Sequence, residues 1–67
     1  MVRIIVNGKE RQVPAGTTVA GLCALLGVDR GKVAVERNRD VVPRLTYDEV
    51  TLDPEDRIEV VAFVGGG

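Results

Sequence analysis

The stretch Val2-Arg3-Ile4-Ile5-Val6-Asn7-Gly8-Lys9-Glu10-Arg11-Gln12-Val13 decides how the rest of the chain must be read. Val2 to Val6 is an apolar run broken only by Arg3, and three β-branched residues, Val2, Ile4 and Val6, share one alternating face. Such a run suits a strand buried on one or both faces. Asn7 and Gly8 both tolerate positive φ, so the pair predicts a two-residue type I′ hairpin turn. Lys9 to Val13 is then the return strand, polar as an edge strand facing water can be, and Pro14 ends it.

Outward from the hairpin, Gly16-Thr17-Thr18 opens a helix, because a threonine hydroxyl can accept from the unpaired amides of a first turn. Val19, Leu22, Cys23 and Leu26 recur at i, i+3, i+4 and i+7 and form one apolar stripe. Gly27 stands where a left-handed C-terminal cap belongs. Gly21 weakens the helix by about 1 kcal/mol relative to alanine, and the expected reason is a close passage of the helix over the sheet. Val33-Ala34-Val35-Glu36-Arg37 alternates as a strand, Asn38-Arg39-Asp40 turns, and Val41-Val42 is a short strand stopped by Pro43. Residues 44–52 are irregular, with Leu45, Val50 and Leu52 as expected anchors. Asp53-Pro54-Glu55-Asp56 has the composition of a type I turn, with proline second. Residues 57–64 form the last and most apolar strand. Ile58, Val60 and Ala62 face one way, and Glu59, Val61 and Phe63 the other.

The order is hairpin, helix, strand, short strand, strand. The most apolar strands are the first and last, so they pair centrally and in parallel. This is an α+β chain of the β-grasp type, a mixed sheet of four to five strands curled around one helix. The expected domain spans residues 1–64, and residues 65–67 form a flexible glycine tail.

Sixty-seven residues suffice for one domain with a thin core, which buries only about 60% of its unfolded surface. A deep catalytic cleft does not fit beside such a core. The apolar fraction of 45% and charged fraction of 28% match a soluble globular protein rather than a disordered one. The single cysteine, Cys23, allows no internal disulfide and fits a reducing compartment. The first apolar run is too short for a signal peptide, and nothing approaches a membrane span, so the cytoplasm is the expected location. The net charge is −1, but residues 1–44 carry eight Lys/Arg against four Asp/Glu, and residues 45–67 carry one against six. That asymmetry suits either a charged docking surface or solvated faces of both signs.

The chain contains no histidine, which removes histidine-based triads, histidine zinc sites and the commonest general base. One cysteine cannot build a cysteine zinc site or an iron–sulfur cluster. Cys23 lies on the apolar stripe with no basic neighbour within a helical turn, and reads as a buried small hydrophobe rather than a nucleophile. The acidic residues Asp48, Glu49, Asp53, Glu55, Asp56 and Glu59 lack the alternating spacing and glycine of a calcium loop. No metal is expected. With Tyr47 and Phe63 as the only aromatics there is no stacking platform for single strands, and no glycine-rich phosphate loop joins a strand to a helix. Nucleic acid and membrane are therefore not expected partners.

What remains is Gly65-Gly66-Gly67, directly after a core strand. A frayed end is the plain reading. Residues without Cβ atoms, however, can thread a narrow channel in any φ/ψ an enzyme demands. Extended, three of them reach roughly 10 Å. A carboxylate there could sit in another protein's active site while the domain docks outside. As a poor electrophile it must first be activated, for example as an acyl-adenylate.

The motifs Asn7-Gly8, Thr17-Thr18-Val19 with Leu22, Val33-Ala34-Val35 followed by Asn38, Val41-Val42-Pro43-Arg44, Asp56-Arg57-Ile58-Glu59-Val60-Val61 and Phe63-Val64-Gly65-Gly66-Gly67 run in order along essentially the whole chain. In that order the chain resembles the sulfur-carrier family of thiamine (thiazole) biosynthesis, ThiS. The resemblance implies a ubiquitin-like β-grasp that is not itself an enzyme and binds no cofactor. It implies that Gly67 is adenylated by an ATP-dependent adenylyltransferase (ThiF-like), similar to ubiquitin-activating enzymes. A cysteine-derived sulfur donor then converts Gly67 to a thiocarboxylate, and thiazole synthase (ThiG-like) takes the sulfur. Gly65 and Gly66 are the flexible tail. Phe63 and Val64, at its base, are the candidates for partner docking. Packing into the core is the competing role for both, and for Phe63 it carries more weight. Where the family has Gly-Asp before the last strand, this chain has Glu55-Asp56, and a type I turn set by Pro54 would need no positive φ there.

The small subunit of molybdopterin synthase (MoaD) shares fold and tail chemistry. It often carries a Pro-Pro pair near its diglycine, where this chain has Val61-Ala62-Phe63-Val64. Sulfur carriers of other pathways and a protein modifier share the same outline. From another class, a β-grasp interaction or regulatory domain would need no free terminus at all.

Overall fold

A computed structural model describes residues 1–63. Its elements are β1 (Val2–Val6), β2 (Lys9–Val13), α1 (Val19–Leu26), β3 (Val33–Arg37), β4 (Asp40–Val41) and β5 (Arg57–Ala62), with 3-10 turns at Arg30–Lys32 and Arg44–Thr46. Among the described residues these strands form one five-stranded sheet in the order β2-β1-β5-β3-β4. The neighbours β1 and β5 run parallel, and the other pairs run antiparallel. The first and last strands are central, as their apolar runs require.

Local signals set the frame. Asn7 (φ 49°) and Gly8 (φ 81°) make the left-handed pair that a two-residue hairpin needs, and Val6 faces Lys9 across it. The Thr18 hydroxyl accepts from the Gly21 amide at 3.1 Å, and Gly27 closes α1 at φ 72°. Two further amides of the first turn are taken by a distant loop: Val19 donates to the Val50 carbonyl and Ala20 to the Tyr47 carbonyl, both at 2.9 Å. The helix stripe of Val19, Leu22 and Cys23 is buried against Ile4, Val6, Val33, Val35 and Ile58 of the sheet, and Leu26 is partly buried.

Three local expectations fail, each for a physical reason. A Cβ on Gly21 would meet Thr17 Cγ2 at 3.3 Å and Thr18 Oγ1 at 3.5 Å, so that glycine makes room for the helix's own cap rather than for the sheet. In residues 44–52, Leu45 is 94% exposed and anchors nothing; buried Tyr47 takes that place, its hydroxyl 3.4 Å from the Val33 carbonyl. The turn before β5 closes with Asp56 N–H on the Asp53 carbonyl at 3.2 Å, but Glu55 sits at φ 70°. Proline second and positive φ third are the marks of a type II turn. Glu55 therefore occupies a backbone position that favours glycine.

Beside that turn lies the one buried charged side chain among the described residues, Asp56, 6% exposed. Its carboxylate accepts from the Arg37 guanidinium at 2.8 Å, the Asn38 side-chain amide at 3.0 Å and the Asp53 backbone amide at 2.8 Å. Burial pushes this carboxyl up, but the Asp53 amide, the Asn38 amide and the Arg37 charge together outweigh it and hold it below the usual carboxylate range. Arg37 also reaches Asp53 at 2.7 Å. The cluster ties the turn before β5 to the turn after β3.

The depressed folded-state pKa of Asp56 means that its contribution is present above about pH 4, the unfolded value, and is lost as pH falls through the folded value. Asp56→Ala should cost about 2 to 3 kcal/mol at neutral pH, and denaturant titrations should show that gap narrowing below about pH 4. Glu55→Gly should raise the unfolding free energy by roughly 0.5 to 1 kcal/mol. Relief of the left-handed strain outweighs the added chain freedom of glycine, and the exposed Arg3–Glu55 pair contributes little.

Candidate functional site at the end of β5

Residues 64–67, which include the expected docking residue Val64 and the tail Gly65, Gly66 and Gly67, lie outside the described residues. What the structure describes is the strand that leads to them. On one side β5 pairs with β1, where Ile5 N–H donates to the Asp56 carbonyl and Asn7 N–H to the Ile58 carbonyl, each at 2.9 Å. β1 ends at Val6, yet the seam continues. The Asn7 side-chain amide donates to the Val60 carbonyl at 3.1 Å and accepts from the Val60 N–H at 2.8 Å. One amide side chain does the work of a further peptide unit.

On the other side β5 pairs with β3 from Arg37↔Ile58 to Val33↔Ala62. A second asparagine closes the near end. Asn38 Oδ1 accepts from the Arg57 amide at 2.9 Å, and its own N–H donates to the Arg57 carbonyl at 2.7 Å. The far end closes where Phe63 N–H donates to the Lys32 carbonyl at 3.0 Å. The backbone is thus bonded to its neighbours up to the last described residue.

The heavier expectation for Phe63, packing into the core, is overturned. Phe63 is 58% exposed, in step with the alternation that sets it with Glu59 and Val61, away from the core-facing Ile58 and Val60. The Arg44 guanidinium lies over its ring, 5.8 Å from the centroid. The alternation itself holds: Ile58 and Val60 turn towards the core, and Glu59, Val61 and Phe63 turn out. The outward face also carries half-buried Ile5 and exposed Val61 and Val41, with Glu36 directly opposite Glu59.

Part of the charge asymmetry of the chain is consumed inside it. Arg3 pairs with Glu55, Arg30 with Asp48, and Arg37 with Asp53 and Asp56, each joining a base from the first part to an acid from the last. Four of the six acids of the last part are held in these pairs, Asp53 and Asp56 on the same arginine. Among the described residues no group of three or more metal-ligating side chains could hold an ion. Cys23 is buried in the core; burial pushes its thiol up, and the Arg30 charge pulls against that without overcoming it. No helix among the described residues is long and apolar enough to cross a membrane. A surface depression of about 270 Å³ lies between Arg37, Asn38, Asp40, the Val41–Pro43 stretch and Val50.

With this geometry in place, comparison with known proteins is specific. The ThiS family model matches residues 4–67. A sulfur carrier protein ThiS from Bacillus subtilis is 40% identical over 62 residues, covering 91% of this chain and 94% of that one. A thiazole synthase from Paramagnetospirillum magneticum is 47% identical over 66 residues, 98% of this chain, but this chain spans only 20% of that protein's length. The crystal structure of a ThiS thiamine biosynthesis protein from Geobacter metallireducens superposes with a TM-score of 0.83 at 33% identity, covering 98% of this chain and all of that one.

Proposed function

The chain belongs to the ThiS family of sulfur carriers, and from that footing we propose that it carries sulfur for thiazole formation on the carboxylate of Gly67. The observation that carries the proposal is the bonding of the last strand, on the β1 side as far as Val60 and on the β3 side through Phe63, four residues before Gly67, in a chain whose family match runs to that glycine. A strand held in this way is a fixed base. Beyond it, Gly65-Gly66-Gly67 presents no side chain to obstruct entry into a narrow site.

The chemistry needs an activating enzyme. The Gly67 carboxylate attacks the α-phosphorus of ATP within an adenylyltransferase, and pyrophosphate leaves. A donor delivering sulfur at the sulfide level then attacks the acyl carbon, and AMP leaves, giving a thiocarboxylate. Thiazole synthase consumes that sulfur. This pairing is supported by the relative named thiazole synthase, in which a segment like this chain is part of a longer polypeptide. The protein holds no ATP and catalyses no step itself. It contributes binding energy that places one small reactive group in two successive active sites. Phe63 and Val64 belong to the surface that meets those enzymes. The cytoplasm is the compartment that suits both ATP-dependent activation and a free thiol in the core.

Intact mass spectrometry after incubation with ATP, a ubiquitin-activating-type adenylyltransferase and a sulfide donor tests this directly. The expected result is a mass gain equal to exchange of one oxygen for sulfur, absent when Gly67 is deleted. No gain with an adenylyltransferase active on another carrier would leave a β-grasp interaction domain as the better reading.

A further inference from the structure

The outward face of the sheet holds an arrangement that is unfavourable for the free fold. Glu36 of β3 and Glu59 of β5 are directly opposite partners in the antiparallel ladder. Side chains so placed share one face, and like charges there repel. Glu36 is half-buried and Glu59 exposed. The ion pairs among the described residues use Glu10, Asp48, Asp53, Glu55 and Asp56 and leave both of these acids out. Arg57, two residues before Glu59 on the same face, pairs with neither. Around the two carboxylates the face is apolar. Val41 stands opposite Glu36 on β4, Val61 stands opposite Ala34 two residues further along, and Phe63 follows. Val41, Val61 and Phe63 are half of the large apolar side chains left exposed among the described residues. A surface made only to meet water needs neither the apolar group nor the opposed acids.

We infer that Glu36 and Glu59 together form a receptor for one arginine side chain of the activating adenylyltransferase, with Val41 and Val61 packing against apolar enzyme surface beside it. This rests on the sulfur-carrier reading. A purely apolar cover would strand two charges away from water, so whatever buries Val41 and Val61 must bring a cation with it. A guanidinium suits two facing acids, because its five donors lie in a fixed plane and can serve two carboxylates at once. The adenylyltransferase is the occupant that the charge favours. An enzyme that binds ATP and releases pyrophosphate holds positive charge around its site, and an acidic patch on the incoming carrier complements that field. The same pair rejects partners whose apolar surface lacks the cation. The repulsion in the free protein is thus relieved only in the complex.

The test titrates the full chain against a ubiquitin-activating-type adenylyltransferase without ATP, at low and at moderate salt, and measures the thermal unfolding of each variant. The variants are Glu36→Gln, Glu59→Gln, the Glu36→Gln/Glu59→Gln double variant and, as a control, Glu49→Gln, an exposed acid outside this face. Each single variant should weaken binding about fivefold and the double variant more than tenfold, the scale of a charged contact buried at an interface. Glu49→Gln should bind like wild type. The affinity of wild type should fall with salt more steeply than that of the double variant. Stability should move the other way: with the repulsion gone, the double variant should unfold about 2 °C above wild type. Unchanged affinity of the double variant, or an equal loss for Glu49→Gln, would overturn the inference. So would a double variant that unfolds well below wild type, which would make the pair structural, or a loss of affinity confined to thiazole synthase. Loading of the wild type by the same enzyme, read by intact mass, checks the premise. If wild type is loaded while the double variant binds unchanged, only this inference falls; if wild type is not loaded, the carrier reading falls with it.

Discussion

Ile5 and Asn7 donate their amides to the carbonyls of Asp56 and Ile58, each at 2.9 Å, and through this parallel seam the first and last strands become the middle of the sheet. The partners are about fifty residues apart in sequence, so the seam closes a loop containing nearly everything else. Closing it sets the inward faces of β1, β3 and β5 side by side, and only then does the apolar stripe of α1 have a surface to cover. Non-local pairing of this kind is entropically demanding to start, and local structure at the hairpin and the helix cap reduces how much must be ordered at once.

The seam would be short if it depended on main chain alone, since β1 turns away after Val6. Two asparagines at positive φ lengthen the bonding of β5, Asn7 from the β1 side and Asn38 from the β3 side. The left-handed backbone at each turn goes with a short amide side chain that can donate and accept at once. An unpaired strand edge invites association with other chains, and the Asn7 amide covers the edge at Val60. The turn at Asn38 also bonds Asp56, so the ionic cluster and the amide clamps secure one element, the strand that leads to the glycines.

The frame was legible because its signals are local. Asn7-Gly8, the Thr18 cap, the Gly27 cap and the alternation of β3 and β5 each rest on a few adjacent residues, and all stand where their chemistry puts them. What could not be read depends on partners far along the chain. Tyr47 becomes a core anchor only because residues 47–52 lie along the start of α1, and Leu45, equally apolar, is left in water. Asp56 looked like one acid among six until Arg37 and Asn38 came to it from another turn. The exposure of Phe63 follows the alternation of the last strand, which sets it with Glu59 and Val61, whereas its apolar character alone points to the core. The positive φ of Glu55 was hidden because Pro54 suits two turn types that differ at the residue after it. The candidate site was legible as a place, the run into the glycines, but not in its construction, since Arg44 and Lys32 reach Phe63 only in the folded chain.

Amide hydrogen exchange at Val60 tests most directly whether β5 is closed by side chains as well as by strands. Its N–H is bonded to the Asn7 side chain rather than to a main-chain carbonyl. If that amide acts as a rung of the ladder, Val60 should exchange at a free energy within about 1 kcal/mol of global unfolding. Exchange at the rate of an exposed loop in the intact protein would contradict it, and with it the idea that the glycine segment leaves from a fixed base.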